Sequence, residues 1–429
     1  MAMEEPKATV ASEKGVERAD TLNPTDLDGQ MEPKEGLIAW VQVLGAFVLN
    51  LNTWGLMNSY GAFQTFYQLD MLRDNSSSSI AWIGSTQAFF LFLVSLAAGP
   101  IFDAGYVRWL LWVGSFLLVV GMFLTSITSA YWQVFLTQAL ISGVGFGCLY
   151  LPAPAVVSQY FHASTALAMG ASSTGSAIGG IIYPIIFNRL QPRVGFGWAT
   201  RVLAFIMLAT SVVPALLMKS KAPPQPARGL VDRSAFKDAP FIVFNFGLFF
   251  GMMGFYIVLY YIELLALART DISSNLAGYL LVIINAASLL GRLIPGYYAD
   301  RVGSINMQTA VVLASVVLAF SLIAIRTAAA IIVFSVLFGF MAGAFMGLPA
   351  AGIVSLSPDK SKIGTRLGMT LSFIGFGLLV SNPIAGAILG DGQNWVGLIV
   401  WCGVLLVASS VGLAVSRILK VGLGLTEAI

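Results

Sequence analysis

Twelve stretches of the chain read as continuous apolar runs separated by short polar breaks: 37–66, 80–102, 108–128, 132–159, 165–188, 198–218, 240–267, 274–298, 305–325, 329–355, 363–389 and 395–417. A membrane-spanning helix needs about 20 such residues, range roughly 17–25. Transmembrane β-strands alternate over about 10 residues, and these runs are too long and too continuous for that. Trp40, Trp82, Trp109, Trp132, Trp198 and Trp395 stand near run ends, where interfacial aromatic belts form. The pattern predicts an all-α membrane protein with twelve transmembrane helices, here spans 1 to 12.

Composition agrees. Apolar residues make up 57% of the chain and charged residues 10%, with mean hydropathy +0.84. A soluble domain carries about 25% charge, and disorder needs the opposite balance. The charge is also unevenly placed. Residues 1–36 hold 9 of the 20 acids and 4 of the 23 bases, so this stretch reads as a disordered polar tail with no apolar signal core. Net charge +3 is too small and too scattered for a nucleic-acid face. Cys148 and Cys402 both sit inside apolar runs, and His162 is the sole histidine. Neither a disulfide framework nor a common metal cluster is implied.

Loop charges set an expected orientation. With the N-terminus in the cytoplasm, the inner loops and C-terminal tail carry twelve Lys and Arg and the outer loops six, as the positive-inside rule requires. The sequon Asn75-Ser76-Ser77 then falls in the first outer loop, and Asn75 becomes a glycosylation candidate. The Pro-rich, basic stretch 219–239 reads as a flexible cytoplasmic linker. It separates six-helix bundles at 37–218 and 240–418, with a short cytoplasmic tail at 419–429.

The halves repeat. Gly99-x-x-x-Asp103 matches Gly296-x-x-x-Asp300, Leu151-Pro152-Ala153 matches Leu348-Pro349-Ala350, and Val157-Ser158 matches Val354-Ser355, always 197 residues on. Gly170 and Gly179 match Gly368 and Gly377 at 198. An even number of spans per half makes the two parallel repeats, related by an axis along the membrane normal. Such architectures hold their solute near the bilayer midplane between the halves and work by rocking one half against the other.

The element Gly296-Tyr297-Tyr298-Ala299-Asp300-Arg301-Val302-Gly303 resembles the GxxxDRxG loop motif of the major facilitator superfamily, and the resemblance covers roughly 36–420. The first copy carries Ala104 in place of the Arg. Glu35-Gly36-Leu37-Ile38-Ala39-Trp40 and the stretch Tyr160 to Gly170 are similar to the entries of helices 1 and 5 in the monocarboxylate-porter branch, in its fungal form. Ala163 and Ser164 replace that branch's basic pair. The resemblance implies the major facilitator fold, no enzymatic activity and a small organic solute. It also implies that Arg292 meets a carboxylate. Animal porters add an acid one turn earlier and a Lys in helix 1, where Ser288 and Asn58 stand here. One member of that proton-relay set remains, which weighs against proton-coupled lactate-type transport.

Arg292 is the sharpest single signal. A charge inside a membrane costs roughly 2.5–3.5 kcal/mol on insertion scales, so such residues face cavities and mark pathways. A guanidinium fork also suits a carboxylate. On span 1, Asn50, Trp54 and Asn58 follow i, i+4, i+8 spacing and are expected on one face. On span 7, Asn245 lies early, while Tyr256, Tyr260 and Glu263 share a face. The tyrosines are apt for an aromatic or amphipathic solute, and Glu263 lies far enough along to be a lip or gate. Asp103, Asp300 and Arg301 read as a conformational latch at the inner loops, where Gly99 and Gly296 are expected to let helices approach closely. The glycines of span 5 read as small-residue packing.

The reading is a secondary transporter for a monocarboxylate or a fungal metabolite with an acidic group. It needs no cofactor or metal, and a proton or solute gradient drives it. The protein is expected as a monomer in the plasma membrane. The alternatives are an efflux pump for a secondary metabolite, or a transporter-shaped solute sensor. The short C-terminal tail weighs against the sensor.

Overall fold

The computed structural model describes residues 36–161, 165–221, 229–357, 359, 362–390 and 393–422. The polar stretch 1–35, His162, the linker prolines Pro223, Pro224 and Pro226, and 423–429 lie outside the described residues, as does the side chain of Asp300. Among the described residues all regular structure is helical. Eleven helices are long and apolar enough to cross a membrane. One of them, Ala168–Leu217, is 50 residues long. At 1.5 Å per residue that is ~75 Å, more than twice a hydrocarbon core. Gly195 divides it, with φ 78° and ψ 167°, a backbone region that glycine alone enters without strain. The expected loop between spans 5 and 6 is thus a single residue, and the total is twelve.

We label them α1 (Leu37–Met71), α2 (Ser77–Asp103), α3 (Val107–Thr125), α4 (Tyr131–Tyr160), α5 (165–194), α6 (196–217), α7 (Ala239–Arg269), α8 (Leu280–Val302), α9 (Ser304–Ser321), α10 (Ala328–Leu356), α11 (Ile363–Leu389) and α12 (Trp395–Val421). The Gly-x-x-x-Asp motifs, expected in loops, instead form the last turns of α2 and α8. Gly303, at φ 95°, makes the whole turn into α9.

Without a hydrophobic force between helices in lipid, close backbone contact must hold the bundle together, and glycine provides it. In the N-terminal half, Gly179 of α5 lies so near α1 that a Cβ would sit 2.5 Å from the Leu51 carbonyl and 2.7 Å from Gly55 Cα. A Cβ on Gly147 of α4 would strike Val94 of α2. In the C-terminal half, a Cβ on Gly343 of α10 would strike the Ser288 carbonyl of α8. Gly143 and Gly147 recur 196 positions on as Gly339 and Gly343, each against the equivalent helix. The repeat therefore reaches down to individual packing contacts. Gly99 and Gly296 do not behave as expected. A Cβ on either would meet nothing within 4 Å, because the ends of α2 and α8 stand clear of their neighbours there.

The two ends of the bundle differ. At the end away from the linker the halves are zipped together. Ser78 of α2 donates to the Pro383 carbonyl of α11 at 2.8 Å. Asn188 of α5 donates to the Gly278 carbonyl at 3.1 Å. Gly61 of α1 lies against the Leu259 carbonyl of α7. Every residue from 55 to 65 and from 251 to 266 is buried, so α1 and α7 are enclosed on all sides at this end. Towards the linker end α7 emerges, with Phe246 exposed and Phe249 and Phe250 half-buried. The helices that join the halves are wholly buried at the far end and partly exposed towards the linker end.

The linker is anchored at both of its described ends. On the N-terminal side, Gln159 of α4 accepts from the Ser220 hydroxyl and the Lys221 amide. On the C-terminal side, Asp232 meets Arg366 at 3.1 Å and Lys362 at 3.3 Å, and Arg366 also reaches Asp238 at 2.7 Å. Arg366 lies over the Phe241 ring.

Gly179→Leu must push α1 off α5, and we expect a large fall in thermal midpoint of the purified protein. Gly296→Ala should leave the midpoint within a degree or two, since its Cβ enters open space. A second expectation concerns pH. Hydrogen bonds from Ser234, and then from Arg366 and Lys362, hold the Asp232 carboxyl well below the usual carboxylate range. A depressed value means the anchor is complete above the unfolded value near ~4 and is lost only as pH falls through the depressed one. Hydrogen exchange at 229–238 should therefore stay slow from pH 8 down to 5. Asp232→Asn should speed it across that whole range.

Candidate functional site

The middle of α1 is not a regular helix. Leu51–Gly55 forms a π turn, which inserts extra residue width and rotates the next turns of the helix about its axis. Asn50 and Asn58, on either side of it, have different partners. Asn50 donates within the N-terminal half, to the Ala46 and Ser172 carbonyls at 3.1 and 3.2 Å. Asn58 turns to the other half, where its Oδ1 accepts from the Tyr256 hydroxyl at 3.4 Å. Between them Trp54 makes edge contacts with Phe92 and Tyr150, with centroids 5.7 and 5.6 Å away. Trp54, Phe92 and Tyr150 come from α1, α2 and α4, and together they form an aromatic wall.

Arg292 comes from α8. It lies ten residues before Val302, ~15 Å along the axis, so the extension of α8 through its Gly-x-x-x-Asp motif sets it deeper than hydropathy implied. It is half-buried. Its Nη1 donates to the Ser176 hydroxyl at 2.6 Å and to the Ser173 carbonyl at 3.2 Å, both on α5. Its Nε is buried without a partner, and no acid among the described residues pairs with it. Tyr150 and Tyr256 are the tyrosines within electrostatic range of the guanidinium. A cation from one half therefore lies near Tyr150 of the other, with Tyr256 close by and bonded to Asn58 across the seam.

The remaining expected residues lie elsewhere. Ser288 returns its hydroxyl to the Asn285 carbonyl, and its own carbonyl faces α10. Asn245 donates to Phe241 of its own helix at 2.7 Å and leaves Oδ1 unpaired. Tyr260 packs on Tyr60 at 4.8 Å, with its hydroxyl unpartnered. Glu263 sits buried in the far end with Oε2 unpartnered. Arg301 is exposed and bonds the Tyr297 hydroxyl of its own helix at 3.3 Å. Asp103 ends α2. Asn75 is exposed beside the start of α2.

Tyr150 and Asn285 were not singled out by sequence. Asn285 of α8 donates to the Gly180 carbonyl of α5 at 3.2 Å, so it belongs to the same seam as Arg292. A signal for Tyr150 existed in the repeat, since it directly precedes the Leu151-Pro152-Ala153 copy. An apolar hollow in the C-terminal half, about 10 Å³ and lined by Ile257, Tyr261, Leu322 and Cys402 among others, shares none of these side chains. The candidate site lies on the seam between the halves. Among the described residues no group of acids, histidines and cysteines could hold a metal ion.

A family model described as Major Facilitator Superfamily matches residues 39–333. Curated relatives extend the match over most of the chain. The MFS-type transporter dbaD of Emericella nidulans is 44% identical over 371 residues, covering 86% of this chain and 84% of that protein. The fujikurins efflux protein of Gibberella fujikuroi is 38% identical, covering 90% and 84%. The aspyridones efflux protein apdF of Emericella nidulans is 36% identical, covering 84% and 73%.

The difference between the two ends makes a labelling prediction. In a Cys148→Ala, Cys402→Ala background, Tyr150→Cys should react with a membrane-impermeant thiol reagent added from the linker side. Tyr260→Cys should stay unreactive from either side. Equal labelling of both would show that the two ends do not differ.

Proposed function

The chain belongs to the major facilitator superfamily, and from that membership we propose that it exports an acidic organic metabolite with aromatic or conjugated character. Transport follows from the family. The class of solute rests on one observation: Arg292 brings a charge into the membrane region, and among the described residues no acid neutralises it. Leaving a buried charge unpaired costs several kcal/mol, so the natural counter-ion is the solute itself. Trp54 and Tyr150, both partly exposed, supply flat apolar surfaces of the kind a ring system needs. A short hydrophilic acid such as lactate would leave those surfaces unused. This supports a larger solute than the monocarboxylate-porter resemblance alone implies.

Two relatives are named for efflux of fungal products, which supports export over uptake. Loop charges support cytoplasmic termini, and the partly exposed end of the seam then faces the cytoplasm, on the loading side for export. The plasma membrane is the natural site of export, a monomer is sufficient, and Asn75 is available for glycosylation on the outer face. Buried Glu263 is the candidate for proton coupling. It lies between α1 and α7 where the halves must separate, and it would exchange its proton with the outside once they do.

Flux of 1-naphthoate in proteoliposomes tests the assignment. Arg292→Gln should reduce uptake into inside-out vesicles by about tenfold or more, the scale of a lost charged hydrogen bond. Unchanged flux and affinity in this variant would remove Arg292 from the site. Glu263→Gln should abolish stimulation by a pH gradient while leaving exchange intact.

A further inference from the structure

The cation of the site stands on α8, but what aims it stands on α5, in the other half. A guanidinium carries five N–H donors in one rigid plane. Here Nη1 makes both of the hydrogen bonds, to the Ser176 hydroxyl and the Ser173 carbonyl. Ser176 is itself buried, and its hydroxyl proton is already committed to the Ser173 carbonyl at 2.7 Å. A lone pair of Ser176 therefore faces Arg292, and the hydroxyl acts there as an acceptor. What Arg292 keeps free is Nη2. Nε is buried and unpartnered, and Nη2 makes no hydrogen bond and is not sealed from solvent.

We propose that Ser176 is a positioning residue: by holding Nη1 against α5 it leaves Nη2 of Arg292 as the donor offered to the carboxylate of the solute. The inference rests on the reading of Arg292 given above and adds the residue that aims it. Holder and held belong to different halves. The arrangement is consequently assembled only while α5 and α8 keep their present register, and rocking the halves at this level unmakes it. Affinity for the carboxylate is thereby tied to conformation without any further residue.

Binding to the full chain in lipid nanodiscs, measured calorimetrically with 1-naphthoate and its uncharged isostere 1-naphthamide, separates this role from simple packing. The native protein should prefer the naphthoate. Ser176→Ala should weaken naphthoate by about 5- to 20-fold and leave naphthamide within twofold. Ser176→Thr, which keeps the hydroxyl, should restore the preference. Should Ser176→Ala fail to fold, Ser176→Cys, with its weak acceptor, takes its place with the same expectation. If the Ser176 variants match the native protein for both ligands, or lose both equally, the proposal is overturned. If at the same time Arg292→Gln loses naphthoate, the reading of Arg292 stands alone. No naphthoate preference in the native protein, or none lost in Arg292→Gln, overturns both.

Discussion

An arginine that finds hydrogen bonds but no counter-charge among the described residues sets the terms for the rest of this molecule. In low dielectric a charge must be solvated by something. Here α5 supplies two neutral acceptors across the seam, which orient the guanidinium without cancelling it. The residual field lies near the rings of Tyr150 and Tyr256. Selectivity for an anion and accommodation of an apolar body then follow from the same few side chains, and neither needs a titratable partner.

The framework around that charge is built from close backbone contacts. Gly179 brings α5 onto α1, and Gly180, one residue on, faces Asn285 of α8. Adjacent glycines thus serve both the interior of one half and its boundary with the other. Contacts without side chains resist local adjustment, so each half moves as a solid piece. The polar contacts between halves are single hydrogen bonds spread along the seam, among them Ser78 with Pro383, Asn188 with Gly278, Asn58 with Tyr256, Asn285 with Gly180 and Arg292 with Ser176. That division of labour is what rocking requires, with stiff units and a boundary that costs little to break.

Much of this was legible in the residues. Hydropathy marked every span, because lipid imposes one length and one polarity on all of them. The duplicated motifs gave the two-fold arrangement. Three things were not legible. Asn58 meets the other half while Asn50 bonds within its own, and spacing along one helix records neither partner. The last turns of α8 looked like a loop because Asp300 and Arg301 are charged, although helix ends readily carry charge into the interface. Tyr150 and Ser176 join the site through contacts between distant segments, which no local pattern records. Expecting Gly99 and Gly296 to be packed confused a small residue with a close neighbour; in this conformation they have none.

The anchored linker has a mechanical side. Lys221 is tied to α4 and Gly229 to Thr365 of α11, whose hydroxyl donates to the Gly229 carbonyl at 3.1 Å. Eight peptide steps separate these points, and a fully extended chain covers at most ~3.5 Å in each, or about 28 Å in all. The connection is therefore a leash of fixed reach. It limits how wide the mouth can gape before one of its moorings must be released, and so sets an upper limit on the girth of any cargo admitted whole.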